Sequence, residues 1–168
     1  MQGKIFYKCK QKEIKKFYKL PTRTVKKIFN YPTKKVIDLI LNINDYKNFL
    51  PWCNNSIIHS IQEEKNFNIL IADLEIGYKI FSDTYSSKII YDKKKNIIEV
   101  TCLAGPVETL SNIWKIKKIN NNKCEVNFFI EIELKNKMLN QLLNKFFDFG
   151  FEKILNSFET YAKKTIVK

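Results

Sequence analysis

Apolar and polar positions change period twice along this chain. From Thr22 to Phe29 they alternate, as a half-buried strand requires. Tyr31-Pro32 ends that run, and Thr33 reads as a helix N-cap. Val36, Ile37, Leu39, Ile40 and Leu41 then recur at helical spacing, which predicts a short amphipathic helix over 33–42. Asn44-Asp45 suit the start of a second short helix through Tyr46, Phe49 and Leu50, stopped at Pro51.

From Asn55 to Leu134 the period is two. Strands are predicted over 57–62, 68–78, 81–91, 97–103, 110–119 and 124–134. Leu70, Ala72, Leu74 and Ile76 share one face of the second of these. The last is the plainest: Cys124, Val126, Phe128, Ile130, Ile132 and Leu134 alternate with Glu125, Asn127, Phe129, Glu131 and Glu133, so one face is buried and the other largely wet. Short polar turns join the six strands, which favours an antiparallel meander. After Lys135 the period returns to 3.6. Met138, Leu139, Leu142, Leu143, Phe146, Phe149, Ile154, Leu155, Phe158, Tyr161 and Ala162 mark one helix of about 28 residues with a wide apolar stripe. Phe146, Phe149 and Phe158 are expected in the core stripe, some of them also walling a cavity. The order is strand, two short helices, six strands and a long helix. It predicts an α+β fold in which a curved antiparallel sheet of about seven strands grips the C-terminal helix.

Charge changes the picture only through its distribution. The 168 residues carry 30 Lys+Arg against 17 Asp+Glu, a net of +13. Taken whole, that points to nucleic acid or an anionic membrane. Residues 1–35 alone hold 12 basic groups and one acid, so the remainder is nearly neutral. The chain divides into a basic leader, 1–21, and a domain, 22–168. Arg23 is the only arginine, whereas a nucleic-acid binder uses arginine for bidentate contacts, so no nucleic-acid partner is expected. The leader is basic, partly amphipathic and nearly free of acids, as mitochondrial presequences are, though it lacks their arginine and serine.

Candidate chemistry is sparse. Cys9, Cys53, Cys102 and Cys124 are far apart, with no CxxC pair to hold zinc or run redox exchange, so no metal is expected. The longest apolar runs fall well short of the roughly 20 residues that span a bilayer. His59 is the only histidine and reads as a strand residue, not a catalyst. Asp73, Glu75, Asp83, Glu131 and Glu133 sit at wet-face positions of strands. Nothing forms a triad or a catalytic carboxylate pair, so an enzyme is not expected.

Several ordered motifs carry a resemblance. Ile43-Asn44-Asp45-Tyr46-Lys47-Asn48-Phe49-Leu50-Pro51-Trp52-Cys53 resembles the xYxxFLPWC signature of the coenzyme Q-binding protein family. In register with it come Asp73 to Tyr78, Tyr85 to Ile89, Gly105-Pro106 followed by Leu110 to Trp114, Cys124 to Phe128, and Phe158 to Ala162. The resemblance covers roughly residues 22–165. Val107 stands where that family usually has phenylalanine, and Lys88 and Tyr161 replace frequent arginines. The family lies in the START-like, polyketide-cyclase-like superfamily and includes a bacterial branch of ribosome-association toxins.

The resemblance implies a helix-grip fold and a non-catalytic chaperone that binds ubiquinone or a prenylated precursor. Such a protein would support ubiquinone synthesis and respiration from the matrix side of the mitochondrial inner membrane. Its partners would be that membrane surface and biosynthetic or respiratory complexes, with a homo-oligomer compatible. The alternatives are a bacterial cytoplasmic ribosome-association regulator and, less favoured, a cyclase or aromatase. Candidate lipid-binding residues are Phe49, Leu50, Pro51, Trp52, Tyr78, Tyr85, Leu103, Trp114, Phe128, Phe146 and Phe149. The Phe49–Trp52 segment reads equally as a membrane-dipping gate and as a plug for one end of the core. Tyr78, Tyr85 and Trp114 offer O–H or N–H donors to ring carbonyls, or pack as ordinary strand aromatics. Gly105-Pro106 reads as a turn or a mobile lid.

Overall fold

The computed structural model describes residues 20–78 and 81–166. Most of the basic leader, including Cys9, therefore lies outside the described residues. Strand β1 (Thr22–Phe29) is followed by helix α1 (Thr33–Leu41), a 3-10 helix (Ile43–Asn48), and strands β2 (Cys53–Glu63), β3 (Phe67–Tyr78), β4 (Phe81–Asp92), β5 (Ile97–Ala104), β6 (Val107–Asn120) and β7 (Lys123–Leu134). Helix α2 (Lys137–Thr165) closes the chain. The strands form one antiparallel sheet in the order β1-β7-β6-β5-β4-β3-β2. The first strand thus pairs with the last, and the meander runs to the far edge. This is the α+β arrangement that the period changes predict.

Boundaries differ in informative ways. Pro32 is the N-cap of α1, and Thr33 is its first helical residue with a buried, unbonded hydroxyl. Proline fixes an extended residue ahead of the helix without needing a side-chain cap. The second short helix is a 3-10 turn fastened to β2. Ser56 accepts from the Lys47 amide (3.1 Å) and donates to the Asn44 carbonyl (3.2 Å), while Asn44 Oδ1 accepts from the Ile58 amide (2.8 Å). β2 accordingly starts at Cys53, earlier than alternation alone predicts.

One face of the sheet is covered by α1, the 3-10 helix and α2. Its buried positions include Leu70, Ala72, Leu74, Ile89, Ile98, Trp114, Ile116, Cys124, Val126 and Phe128. The second half of α2 lies over the β1/β7 edge. Phe151, Leu155, Phe158 and Ala162 are buried there, Phe151 stacks on Phe128 (5.2 Å), and Arg23 and Lys27 of β1 pair with Asp148 (3.1 Å) and Glu159 (3.0 Å). An aromatic cluster ties the 3-10 segment, the sheet and α2 together. In it Phe49 meets Phe158 edge-on (5.1 Å) and Trp114 lies 4.0 Å from Phe128. Each such pair contributes about 0.5–1.5 kcal/mol beyond its area.

Candidate functional site

The core is dense at one end of α2 and open at the other. Toward the C-terminal end nearly every inward side chain is buried. Toward Lys137 the inward positions of the sheet are apolar but only half-buried: Val100 and Cys102 on β5, Leu110 on β6, and Ile130 and Ile132 on β7. Leu139, Leu143 and Phe147 of α2 stand one turn apart in a row leading to buried Phe151 and are half-buried too. The depressions with a defined volume lie elsewhere, on the outer face, whereas these two half-buried apolar rows are the candidate walls of a cleft. The turn Gly105-Pro106 rims it and is tethered to the start of α2: Lys135 Nζ donates to the Gly105 carbonyl (2.7 Å) and the Lys135 amide to the Pro106 carbonyl (2.9 Å). Gly105 has φ +112°, and a Cβ there would lie 2.6 Å from the Thr84 carbonyl oxygen, so only glycine fits this turn.

Trp52 is half-buried at the edge of α2. It precedes edge strand β2, yet its ring reaches across to α2, where a Cβ on Gly150 would sit 3.6 Å from two ring carbons. Lys153 Nζ lies over the same ring at 5.3 Å. The backbone of Trp52 is left-handed (φ 63°), a conformation costing a bulky residue about 1–2 kcal/mol, and its carbonyl accepts from the Gly77 amide (2.8 Å).

The remaining candidates fall into four groups. Phe49 and Leu50 pack against the core, Phe49 being stacked on Tyr161 (4.2 Å), and Pro51 is half-buried beside Trp52. Tyr161 stands where the resembling family often has arginine, and its hydroxyl supplies a donor to Asp45 (3.1 Å). Trp114 and Phe128 are 5% and 3% exposed and belong to the packed core below the cleft. Tyr85 is half-buried on β4, and burial pushes its phenol well above the ordinary range, so it stays protonated. Tyr78 ends β3, and its side chain lies outside the described residues.

Leu103, Phe146 and Phe149 do not join the cleft. Alternation along β5 turns Ile98, Val100 and Cys102 inward and Leu103 outward, where it is 55% exposed. Phe146 and Phe149 are exposed instead of core. α2 is apolar around more than half its circumference, and the sheet covers only the row through Phe151. Phe149 lies two residues, a little over half a turn, from that row.

Sequence patterning passed over Asn112. Its inward parity on β6, between Leu110 and Trp114, was a readable signal. It pairs with Val100 and Ile130, and no protein donor reaches its buried Oδ1. Left unsatisfied, a buried acceptor of this kind costs stability.

Burial raises the thiols of Cys53, Cys102 and Cys124, the last to about 11, which keeps them protonated and unreactive at neutral pH. His59 pairs with Asp73 (2.8 Å) on the outer face, and hydrogen bonds from Ser86 and then His59 lower the Asp73 carboxyl. A shallow 210 Å³ depression beside this pair is lined by Asn55, Asp73, Glu75 and Thr84. A 430 Å³ depression, also on the outer face, is lined by Lys95, Lys115, Lys117, Lys118 and Glu125. Among the described residues no cluster of His, Cys, Asp and Glu could hold a metal ion, and no helix is long and apolar enough to cross a membrane.

Comparison with known proteins gives this geometry a context. The family model described as polyketide cyclase / dehydrase and lipid transport matches residues 29–159. The ribosome association toxin RatA of Rickettsia prowazekii is 32% identical over 135 residues, covering 79% of this chain and 89% of that protein. The mitochondrial coenzyme Q-binding protein COQ10 of Dictyostelium discoideum is also 32% identical, over 127 residues, covering 74% of this chain but only 60% of that longer protein. Among solved structures, an 18 kDa protein of Caulobacter crescentus superposes with a TM-score of 0.70 at 21% identity, covering 89% of this chain and all of that one. The Zhui aromatase/cyclase of Streptomyces sp. R1128 gives the same TM-score at 12% identity, covering 88% and 96%. At such identities the structures share the fold alone.

Proposed function

The chain belongs to the polyketide cyclase / dehydrase and lipid transport family, within the START-like superfamily that also holds the coenzyme Q-binding proteins, and from that premise we propose that it is a non-catalytic carrier of ubiquinone or a prenylated precursor. The observation that carries the reading is the pair of half-buried apolar rows, Leu139, Leu143 and Phe147 on α2 and Val100, Cys102, Leu110, Ile130 and Ile132 on β5–β7, which we read as the walls of an apolar cleft with Asn112 among them and Trp52 at its edge. Apolar clefts with few polar groups suit apolar ligands with one polar end. The relatives named as coenzyme Q-binding proteins supply the ligand class.

Energetics explain the need for a carrier. At about 0.8 kcal/mol per CH₂, a prenyl tail of roughly 40 carbons costs on the order of 30 kcal/mol to expose to water. Moving it from a bilayer into an apolar cleft is nearly neutral, hence reversible. A domain of this size has a radius of gyration of roughly 15 Å, too small to hold the tail extended. The cleft takes the ring and first prenyl units while the rest stays in the membrane or a second subunit. The setting that fits is the matrix face of the mitochondrial inner membrane, serving ubiquinone synthesis and respiration.

Organic extraction of the purified protein followed by mass spectrometry tests this: a copurifying quinone or prenylated phenol is expected, and an extract free of both, from a host that makes them, refutes it. The second reading is a ribosome-association regulator, favoured by the match covering 89% of the Rickettsia protein and by the lysine-lined outer depression. It predicts salt-sensitive cosedimentation with ribosomal particles, which the carrier reading does not.

A further inference from the structure

Along the first half of α2, Met138, Leu142, Phe146 and Phe149 recur at spacings of four, four and three, which places them on one face of the helix. They are 55%, 41%, 53% and 64% exposed. The face is not an unfilled end of the core, because the buried row through Phe151, Leu155, Phe158 and Ala162 lies on the other side of the helix. Four large apolar side chains held in water on one rigid element mark an interaction surface.

Charge selects the occupant. Lys145 Nζ stands 5.5 Å from the Phe146 ring centroid, and Lys153 Nζ stands 5.8 Å from that of Phe149 and 5.3 Å from that of Trp52. The acids of the same stretch, Asp148 and Glu152, lie on the flank toward β1, where Arg23 engages both at 3.1 and 4.0 Å. The exposed face is therefore apolar, with Lys145 and Lys153 at its borders and Glu152, turned toward Arg23, beyond Lys145 on the β1 side. A second copy of the chain would bring the same lysines into one interface. The leader, which joins β1 on that flank, is itself strongly basic. Both are disfavoured by like charge. A fluid bilayer with anionic headgroups meets both needs: its acyl boundary takes protruding Phe, Leu and Met, and its headgroups take the lysines.

We propose that this face of α2 is a docking surface that lies flat on an anionic bilayer, with Phe146, Phe149 and Trp52 at the acyl boundary. Docking itself does not depend on which ligand the cleft holds. Its consequence, that the cleft mouth is delivered to the membrane from which a lipid ligand would come, rests on the carrier reading above.

The test uses the full chain and quinone-free vesicles of phosphatidylcholine and phosphatidylglycerol with bromine on the acyl chains. The leader alone can draw the chain to such vesicles, so the readout is tryptophan quenching and not cosedimentation. Trp114 is 5% exposed and shielded, which leaves Trp52 as the reporter. The expected result is quenching that W52F abolishes and that falls about tenfold or more in affinity without phosphatidylglycerol. F146S/F149S should stay folded, since both side chains are exposed, and should lose quenching even where the protein still sediments with vesicles. K145E/K153E should weaken it. Unquenched emission from vesicle-bound protein, or quenching unchanged in F146S/F149S, overturns the proposal. A dimer by light scattering that F146S/F149S dissociates, without quenching in the parent, assigns the face to a second copy and also overturns it. A cleft that yields no quinone on extraction leaves the quenching result intact, so the two readings fail separately.

Discussion

Replacing Asn112 with leucine separates the stability of the fold from occupancy of the cleft. Asn112 sits on the inward face of β6 between Leu110 and Trp114, paired with Val100 and Ile130, and its buried Oδ1 receives no protein donor. A buried unsatisfied polar group costs about 1–3 kcal/mol, whereas leucine has the same branching, is larger, and finds room because Val100, Leu110 and Ile130 around it are only half-buried. Asn112→Leu should therefore stabilise the delipidated protein by about 1–3 kcal/mol. For a domain of this size that raises the melting temperature by roughly 2–4 °C per kcal/mol. Ligand binding should move the other way. If a ring hydroxyl donates to Oδ1, losing that bond costs about 0.5–1.5 kcal/mol, or roughly 2- to 12-fold in Kd. The loss should be larger for a hydroxyl-bearing ring, as in a quinol or a prenylated phenol, than for an oxidised quinone. Differential scanning calorimetry of extracted protein gives the first number, and titration with short-tailed quinol and quinone analogues gives the second. A variant that melts lower than the parent and binds both analogues as before would refute the reasoning on both counts.

Three further outcomes follow from local geometry. Gly105→Ala forces a Cβ to 2.6 Å from the Thr84 carbonyl at φ +112° and should cost about 1–3 kcal/mol by urea denaturation; a neutral result would mean that the turn relaxes freely. Gly150→Ala places its Cβ at an ordinary 3.6 Å from the Trp52 ring and removes a mid-helix glycine, so it should stabilise by about 0.5–1 kcal/mol; destabilisation would show that the Trp52 ring has no room for a methyl group. Lys27, by hydrogen bond and charge, holds the Glu159 carboxyl below its ordinary value, so this pair's stabilising share is present above the unfolded carboxylate pKa and is lost as pH falls through the lower folded one. Lys27→Met should therefore lower the melting temperature slightly at neutral pH, and the difference from the parent should shrink below about pH 4; a difference that grows on acidification would contradict this sign.

Much of the molecule is legible as pattern, and the exceptions have physical causes. Period-two alternation fixes which side chains of a strand share a face, so the inward sides of β3 and β7 follow from the chain alone, and Asn112 could have been found by the same parity. The 3.6 period announces α2 but not its buried side, because a helix apolar from Met138 round to Phe151 can present several faces to a sheet. The choice is made by the β1/β7 edge, where Arg23 and Lys27 hold Asp148 and Glu159 and Phe128 stacks on Phe151. That choice turns Phe146 and Phe149 outward. Phe49 and Trp52, neighbours in one motif, part company for a similar reason: Phe49 inserts among Tyr46, Phe158 and Tyr161, while a left-handed Trp52 swings its ring across to Gly150. By itself, then, the sequence determined the α+β order of elements, the inward parity of the strands and the family, since these follow from local periodicity and ordered motifs. Only the tertiary structure decided where the dense core gives way to half-buried apolar rows, because that depends on which side of a helix apolar around more than half its circumference meets the sheet, and on one tryptophan that reaches across from just before β2 to that helix.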